Sequence, residues 1–254
     1  MGPLRMRGGD FTARGSGGAD FSTASSATPL SLSGTDGVVV GSVALTADAG
    51  SSASPAISVR DGGSLNFDGA ASGNPTVSLS GGASNAVGLH VDSGGHVRFG
   101  SGTSLSATMS DMFATVMVEG GTFKAVQASL SADNAPDNGL FVHNGAAAVL
   151  ESAAVAFPSG AVDGVEVADN GSLEMNSGSI GATGTPSDYG VRAELAVSSL
   201  HGQNTSIYSG TDCVTSASGK MFESSVATTG PPTGASDAVL ARNTSSWTCE
   251  NANP

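Results

Sequence analysis

The sequence predicts an all-β fold, a right-handed parallel β-helix of nine to ten coils with about 25 residues each. A phrase of alternating apolar residues, a turn with glycine or asparagine, and a second apolar pair recurs along the 254 residues. Alternation with period two inside a repeat of this length is typical of stacked strands. The composition agrees, because 39% of the residues are hydrophobic, 12% are charged and 37 are glycines. We predict a right-handed winding because crossover connections between parallel strands are almost always right-handed.

The first strand of each coil opens with an apolar residue, usually followed two positions later by another. The residue between them is expected to point outward, because side chains alternate across a strand. The openers are Ile57, Leu89, Val116, Leu140, Val165, Val191, Val214 and Val239.

A turn and two further strands complete each coil. The turns carry pairs such as Gly94-Gly95 and Asn144-Gly145, residues that tolerate a positive φ. The second strand supplies inward residues such as Leu65 and Phe67. A third, weaker apolar segment lies near Leu105, Leu130, Val155, Ile180 and Ile207.

We interpret residues 1–254 as a single β-helix domain, with irregular early coils over 1–56, regular coils over 57–239 and a C-terminal end over 240–254. Residues 4–11 already match the repeated phrase. Because terminal repeats need polar caps, we expect an additional β-helix chain or end-to-end self-association at the N-terminal end.

The charge balance excludes some partners. The chain has 9 basic and 22 acidic residues, which gives a net charge of −13. A nucleic-acid-binding protein needs a basic face to displace counterions, and an anionic membrane surface attracts basic segments. No apolar run approaches the ~20 residues of a membrane span. We therefore expect no nucleic acid and no membrane span.

Two segments carry a resemblance to a known family. Residues 86–95 (AVGLHVDSGG) and 170–178 (NGSLEMNSG), in a chain poor in lysine, resemble right-handed parallel β-helix proteins, above all autotransporter passenger domains of the pertactin type. The resemblance implies a protein at the bacterial cell surface or secreted outside the cell. It further implies a non-catalytic, rigid adhesin or display stalk, or a surface that binds a glycan or protein. The alternative is a polysaccharide-active enzyme, a lyase of the pectate-lyase type or a hydrolase, or a glycan binder derived from one.

The candidate catalytic residues are Asp92, Glu119 and His143, on strands of neighbouring coils. They lie three residues after their openers, so stacking is expected to align them in one outward column with Arg60. Paired carboxylates beside a basic residue can cleave a polysaccharide. The alternative interpretation is solvated charge on a strand face.

The candidate binding residues are His90, Met117 and Phe141, which directly follow successive openers. An apolar pair on an outward column can mark a contact site. The alternative is that a loop covers it.

A series of aspartates precedes the openers, and its metal-site candidates are Asp137, Asp163, Asp188 and Asp212. Stacked carboxylates could hold Ca²⁺, which takes several oxygen ligands. The alternative is an Asx-turn in each loop. Turn formation is the preferred interpretation, so we expect no cofactor.

Cys213 and Cys249 are the two cysteines, and neither lies in a zinc-binding pattern. We expect a disulfide between them, which would indicate an oxidising compartment. The alternative is two unpaired, small apolar side chains.

Overall fold

The structure is a computed structural model that describes residues 2–23, 27–69, 73–109, 111–132, 136–156, 163–181, 189–193, 199–207, 212–216, 226–228 and 239–241. Over these residues every regular element is a β-strand, and every pairing between strands is parallel apart from one isolated bridge. No helix among them has the length and apolar character that crossing a bilayer requires. The predicted all-β, parallel solenoid is therefore confirmed.

The first sheet stacks ten parallel strands. In spatial order they are β1 (Leu4–Arg7), β3 (Leu30–Ser33), β5 (Ile57–Arg60), β8 (Ala86–Asp92), β11 (Met112–Glu119), β14 (Asn138–His143), β16 (Asp163–Val167), β18 (Tyr189–Ala193), β20 (Asp212–Ser216) and β22 (Val239–Ala241).

The second sheet has twelve strands and contains the second and third strands of the repeat. Its members are β2 (Asp10–Ser22), β4 (Asp36–Asp48), β6 (Ser64–Asp68), β7 (Thr76–Ser80), β9 (His96–Phe99), β10 (Ser104–Ala107), β12 (Thr122–Val126), β13 (Ser129–Ala132), β15 (Ala147–Ala156), β17 (Ser172–Ile180), β19 (Ser199–Ile207) and β21 (Val226–Thr228). Long strands bridge the short ones: β4 pairs with both β6 and β7, and β15 pairs with both β12 and β13.

The predicted register of the openers is confirmed along the first sheet. Each opener is the direct partner of the next, from Ile57 opposite Leu89 to Val214 opposite Val239. The third-strand residues from Leu105 to Ile207 pair in the same way. Leu4 and Leu30 extend the opener column toward the N-terminus.

The predicted number of coils is too high. The structure shows about six turns of the solenoid, where the repeat predicted nine to ten. The prediction counted one coil for every opener, including those after β17, where the structure describes only separate strands. Near the C-terminal end, β21 and β22 contain only three residues each. The right-handed winding stays a prediction.

The interior is one continuous apolar cluster of valine, leucine, isoleucine, alanine and phenylalanine side chains. Phe67, Phe99 and Phe123 are its largest buried members. Their rings meet edge to face, with centroids 4.9 Å apart between Phe67 and Phe99 and 5.4 Å apart between Phe99 and Phe123. Offset and perpendicular arrangements of this kind are the favourable ones for aromatic pairs, so the coils are joined by ring contacts as well as by backbone hydrogen bonds.

The segments 15–35 and 41–56, in which the sequence shows little pattern, contain much of β2 and β4. These two strands have thirteen residues each and pair along their whole length. Burial alternates residue by residue along β4. Small residues can therefore follow the same inward–outward alternation as larger ones.

The turn after β8 shows why paired glycines recur. Ser93 and Gly94 both have a positive φ, of 48° and 76°, a conformation that bulky residues disfavour. Gly95 has a different role. A Cβ atom at Gly95 would collide with the backbone carbonyl oxygen of Val59 on the preceding coil. The second glycine of the pair therefore allows two coils to approach closely.

We expect Gly95→Ala to lower the free energy of unfolding by about 1 to 3 kcal/mol, because the added methyl group must displace the backbone of the neighbouring coil. Gly18→Ala is the matched control. Its Cβ atom would make ordinary contact, at 3.5 Å, with the Asp20 carboxylate, and we expect a change of less than about 1 kcal/mol. Urea unfolding of both variants measures the difference, and equal destabilisation would contradict this account of the turn.

Candidate functional site

The outward face of the first sheet carries most of the candidate residues in two neighbouring columns. The first column runs in register through Arg5, Ser31, Ser58, His90, Met117, Phe141, Glu166 and Arg192. The second column contains Arg7, Ser33, Arg60, Asp92, Glu119 and His143. Equivalent residues of adjacent coils are separated by roughly 4.8 Å, the spacing between neighbouring strands.

A groove opens at the N-terminal end of this face, and we call it the arginine groove. Its volume is about 330 Å³, and its lining residues include Arg5, Arg7, Ser31, Ser58 and Arg60. The two serines are 9% and 8% exposed, whereas the three arginines are exposed. Small side chains in the middle of the column thus form a floor, and longer cationic side chains surround it.

Two of these arginines have no ion-pair partner among the described residues, namely Arg5 and Arg7. The third is already engaged, since Arg60 Nε lies 3.6 Å from Asp61 Oδ2. Seven arginines and two lysines are all the cations of the chain. Three of those nine therefore line one groove on an otherwise acidic protein.

His90, Asp92 and Glu119 form a second group, which we call the mixed cluster. His90 and Asp92 also line one end of the arginine groove. One potential ligand atom from each lies within 4.8 Å of the others. His90 Nε2 is 3.2 Å from Glu119 Oε2, and their side chains are 19% and 32% exposed. Asp92 and Glu119 are direct register partners, so the structure brings together two of the candidate catalytic residues and one candidate binding residue.

His143 lies one coil further along, as the register partner of Glu119. Its Nε2 atom is shielded from solvent and has no hydrogen-bond partner within the part of the chain that the structure describes. Burial lowers the pKa of the His143 imidazole below its usual range, although the negative charges of Glu119 and Asp169 act in the opposite direction. The His143 imidazole is therefore biased toward its neutral form.

An aromatic group follows the mixed cluster. Phe141 stacks on His143 with ring centroids 4.5 Å apart and an angle of 24° between the ring planes. Phe113 meets Phe141 edge to face at 5.2 Å, and both phenylalanines and Met117 are partly exposed. The candidate binding residues Met117 and Phe141 thus lie on an accessible apolar surface.

Sequence reasoning missed Phe113. Alternate residues of a strand point to the same face, so Phe113, four residues before Met117, could have been predicted to point outward. Thr115 breaks the pattern because it is fully buried, and the pairing of β11 with β8 shifts between Met112 and Ala114. The register irregularity returns the chain to an outward position at Phe113.

The candidate aspartates do not share one position of the register. Asp163 pairs with Asn138 on one side and Tyr189 on the other, and Asp212 pairs with Tyr189. Asp137 precedes β14 by one residue, and Asp188 lies outside the described residues. Two described candidates, Asp163 and Asp212, are thus two coils apart, about 10 Å at the strand spacing.

Asp163 has a cationic partner of its own. Its side chain is 2% exposed, and Oδ2 lies 3.3 Å from Nη1 of Arg192 on the next coil. A buried carboxylate is stable only when it is paired or hydrogen-bonded. Asp163 is therefore paired with a protein side chain, and this pairing requires no metal ion.

The predicted disulfide falls largely outside the described residues. Cys249 lies outside them, and only the backbone of Cys213, within β20, is described.

Comparison of the chain with protein-family models, curated proteins and solved structures finds no match.

We expect Arg192→Gln to destabilise the fold by about 1.5 to 3 kcal/mol, because it removes a charged hydrogen-bond donor from a buried carboxylate. Asp163→Asn in the same chain is expected to recover part of this loss, because it removes the buried charge. The exposed pair Lys124–Glu151, with Nζ 2.7 Å from Oε1 and side chains 42% and 39% exposed, is the control. Glu151→Gln should cost no more than about 1 kcal/mol. Thermal or urea unfolding measures all three, and an equal loss at both pairs would refute the distinction.

Proposed function

We propose that this chain is a non-catalytic, rigid binding module that works at the bacterial cell surface or outside the cell and holds an acidic glycan in the arginine groove. The observation that carries the proposal is the groove itself, in which Arg5, Arg7 and Arg60 surround a floor of buried serines. Adhesion or display follows from the same geometry, since a stiff stack holds this face at a fixed distance from whatever anchors it.

The spacing of the arginines suits an extended anionic chain. Arg5 and Arg7 are two residues apart on β1, which places their Cα atoms about 6.8 Å apart along the strand. Arg60 is two coils from Arg7 in the same column, about 10 Å across the strands. A planar guanidinium binds a carboxylate through two parallel hydrogen bonds. Hydroxyl groups of Ser31 and Ser58 lie between the arginines and can bond sugar hydroxyls. Ser33 Oγ donates a hydrogen bond to Asp61 Oδ2 at 2.7 Å and can still accept one.

The net charge of the protein explains why the ligand must come close. A net charge of −13 repels a polyanion at long range, whereas charges on the surface are screened beyond about 8 Å at physiological salt. Attraction is therefore confined to the groove. This favours a ligand with a few well-placed carboxylates over a densely charged one such as nucleic acid.

We expect the chain to bind a uronate-containing glycan and to bind its methyl ester much more weakly, because esterification removes the charge that the arginines recognise. The double variant Arg5→Gln/Arg7→Gln should weaken binding at least about tenfold, or ~1.4 kcal/mol. The double variant Arg14→Gln/Arg98→Gln is the charge-matched control, since both arginines are exposed on strands of the second sheet, Arg14 on β2 and Arg98 on β9. Glycan-array screening followed by titration calorimetry measures both.

Three results would contradict the proposal: equal affinity for the acid and its ester, an equal effect of the Arg14→Gln/Arg98→Gln control, or binding of a protein ligand alone. Raising the salt concentration is expected to weaken binding in the wild type more than in the double variant.

A second candidate function is cleavage of a polysaccharide, favoured by the closeness of Asp92 and Glu119. Their facing oxygens lie within 4.8 Å, near the ~5 to 5.5 Å that separates the carboxyl groups of retaining glycosidases. If the chain is an enzyme, Glu119→Gln should abolish the release of reducing ends or unsaturated products from acidic glycans. Absence of product from the wild type on every glycan that it binds would exclude this candidate.

A further inference from the structure

We propose that the mixed cluster, His90, Asp92 and Glu119, binds a divalent first-row transition-metal ion of the Zn²⁺ or Mn²⁺ class. This site is distinct from the possible Ca²⁺ site at the aspartates that precede the openers. It uses different residues and a different ligand chemistry. It is the one group of three such side chains that the structure brings together within the part of the chain it describes.

The distances fit an ion of this size. With metal–ligand bonds of about 2.1 Å, neighbouring ligand atoms are about 3.0 Å apart in an octahedral site and about 3.4 Å apart in a tetrahedral one. His90 Nε2 and Glu119 Oε2 are 3.2 Å apart, and all three ligand atoms lie within 4.8 Å of one another. Small side-chain rotations are enough to bring the third ligand to a bonding position, because all three residues are partly exposed.

The backbone holds these ligands in place. His90 and Asp92 are alternate residues of β8, so both point outward from the same strand. Glu119 ends β11 and is the direct register partner of Asp92. Two adjacent strands of a sheet thus determine the spacing of the ligands. Strands hold ligands more precisely than loops do.

The charges also favour a dication. Two carboxylates directly opposite each other on neighbouring strands repel, and the nearby Arg60 is paired with Asp61. A divalent ion would offset both negative charges. Next to Glu119, the shielded Nε2 of His143 has no hydrogen-bond partner among the described residues. Leaving such an atom unsatisfied costs free energy.

The ligand types select the class of ion. Imidazole suits Zn²⁺ and other first-row transition metals, whereas Ca²⁺ and Mg²⁺ prefer sites made of oxygen alone. No thiolate belongs to the cluster, which disfavours Cu⁺. The proposed order of affinity is therefore Zn²⁺ above Mn²⁺, with Ca²⁺ far weaker.

Titration calorimetry of the EDTA-treated, thiol-alkylated chain with ZnCl₂, MnCl₂ and CaCl₂ tests the proposal. Alkylation prevents the cysteines from contributing ligands. We expect one Zn²⁺ per chain and at least tenfold weaker binding in His90→Gln and in Asp92→Asn. His96→Gln is the matched control, because His96 is exposed on β9, where its Nδ1 contacts Thr122 at 2.6 Å, and it should bind Zn²⁺ like the wild type.

The melting temperature gives a second readout, since a ligand that binds only the folded state raises stability. Zn²⁺ should raise the melting temperature of the wild type and of His96→Gln but not that of His90→Gln. Three results would overturn the proposal: no saturable binding, equal losses in the His90 and His96 variants, or Ca²⁺ binding as tight as that of Zn²⁺. The Arg5→Gln/Arg7→Gln variant should keep the metal, so failure here is separable from failure of the glycan proposal.

Discussion

The structure depends on one constraint, the in-register parallel pairing of each coil with the next. Away from irregularities such as the register shift in β11, a strand residue has a direct partner one coil away, at the fixed distance that backbone hydrogen bonds impose. A residue that points inward therefore stacks on an inward residue of the next coil, and a residue that points outward stacks on an outward one. The apolar column from Leu4 to Val239 and the stacked rings of Phe67, Phe99 and Phe123 both follow from this rule.

The same constraint builds the outward face. Because columns are continuous, the character of this face changes gradually from coil to coil and not at domain boundaries. Arginines and serines come first, then the histidine and carboxylates of the mixed cluster, then the aromatic group at Phe113 and Phe141. The charged and aromatic side chains of these groups all come from strands, and Thr28 and Pro55 from connecting segments complete the lining of the groove. A solenoid can therefore carry several chemically different surfaces side by side on one rigid support.

Much of this could be predicted from sequence, because periodicity determines which side of a strand a residue occupies. The openers, the turn glycines and the meeting of Asp92 with Glu119 follow from the spacing of the repeat. The arginine groove could not be predicted in that way. The groove depends on the pairing of β1, which carries Arg5 and Arg7, with β3, which carries Ser31. The small, polar residues around Leu30 obscure the repeat in β3. The described aspartates of the series do not all lie in one column, for the opposite reason. Members of the series have similar spacing, yet Asp137 and Asp163 differ by one position in register, and a difference of one residue turns a side chain to the other face.

The arginine groove and the mixed cluster differ in local stability, because they lie at different positions in the stack. In a linear array, each winding is stabilised mainly by its two neighbours, and local opening begins at the ends. Among the described strands, β1 pairs only with β3, whereas β8 and β11 have partners on both sides. Fraying of β1 would therefore remove Arg5 and Arg7 from the groove and leave His90, Asp92 and Glu119 undisturbed. Hydrogen exchange would accordingly report two different lifetimes on a single continuous surface, a short one at the proposed anion site and a longer one at the proposed cation site.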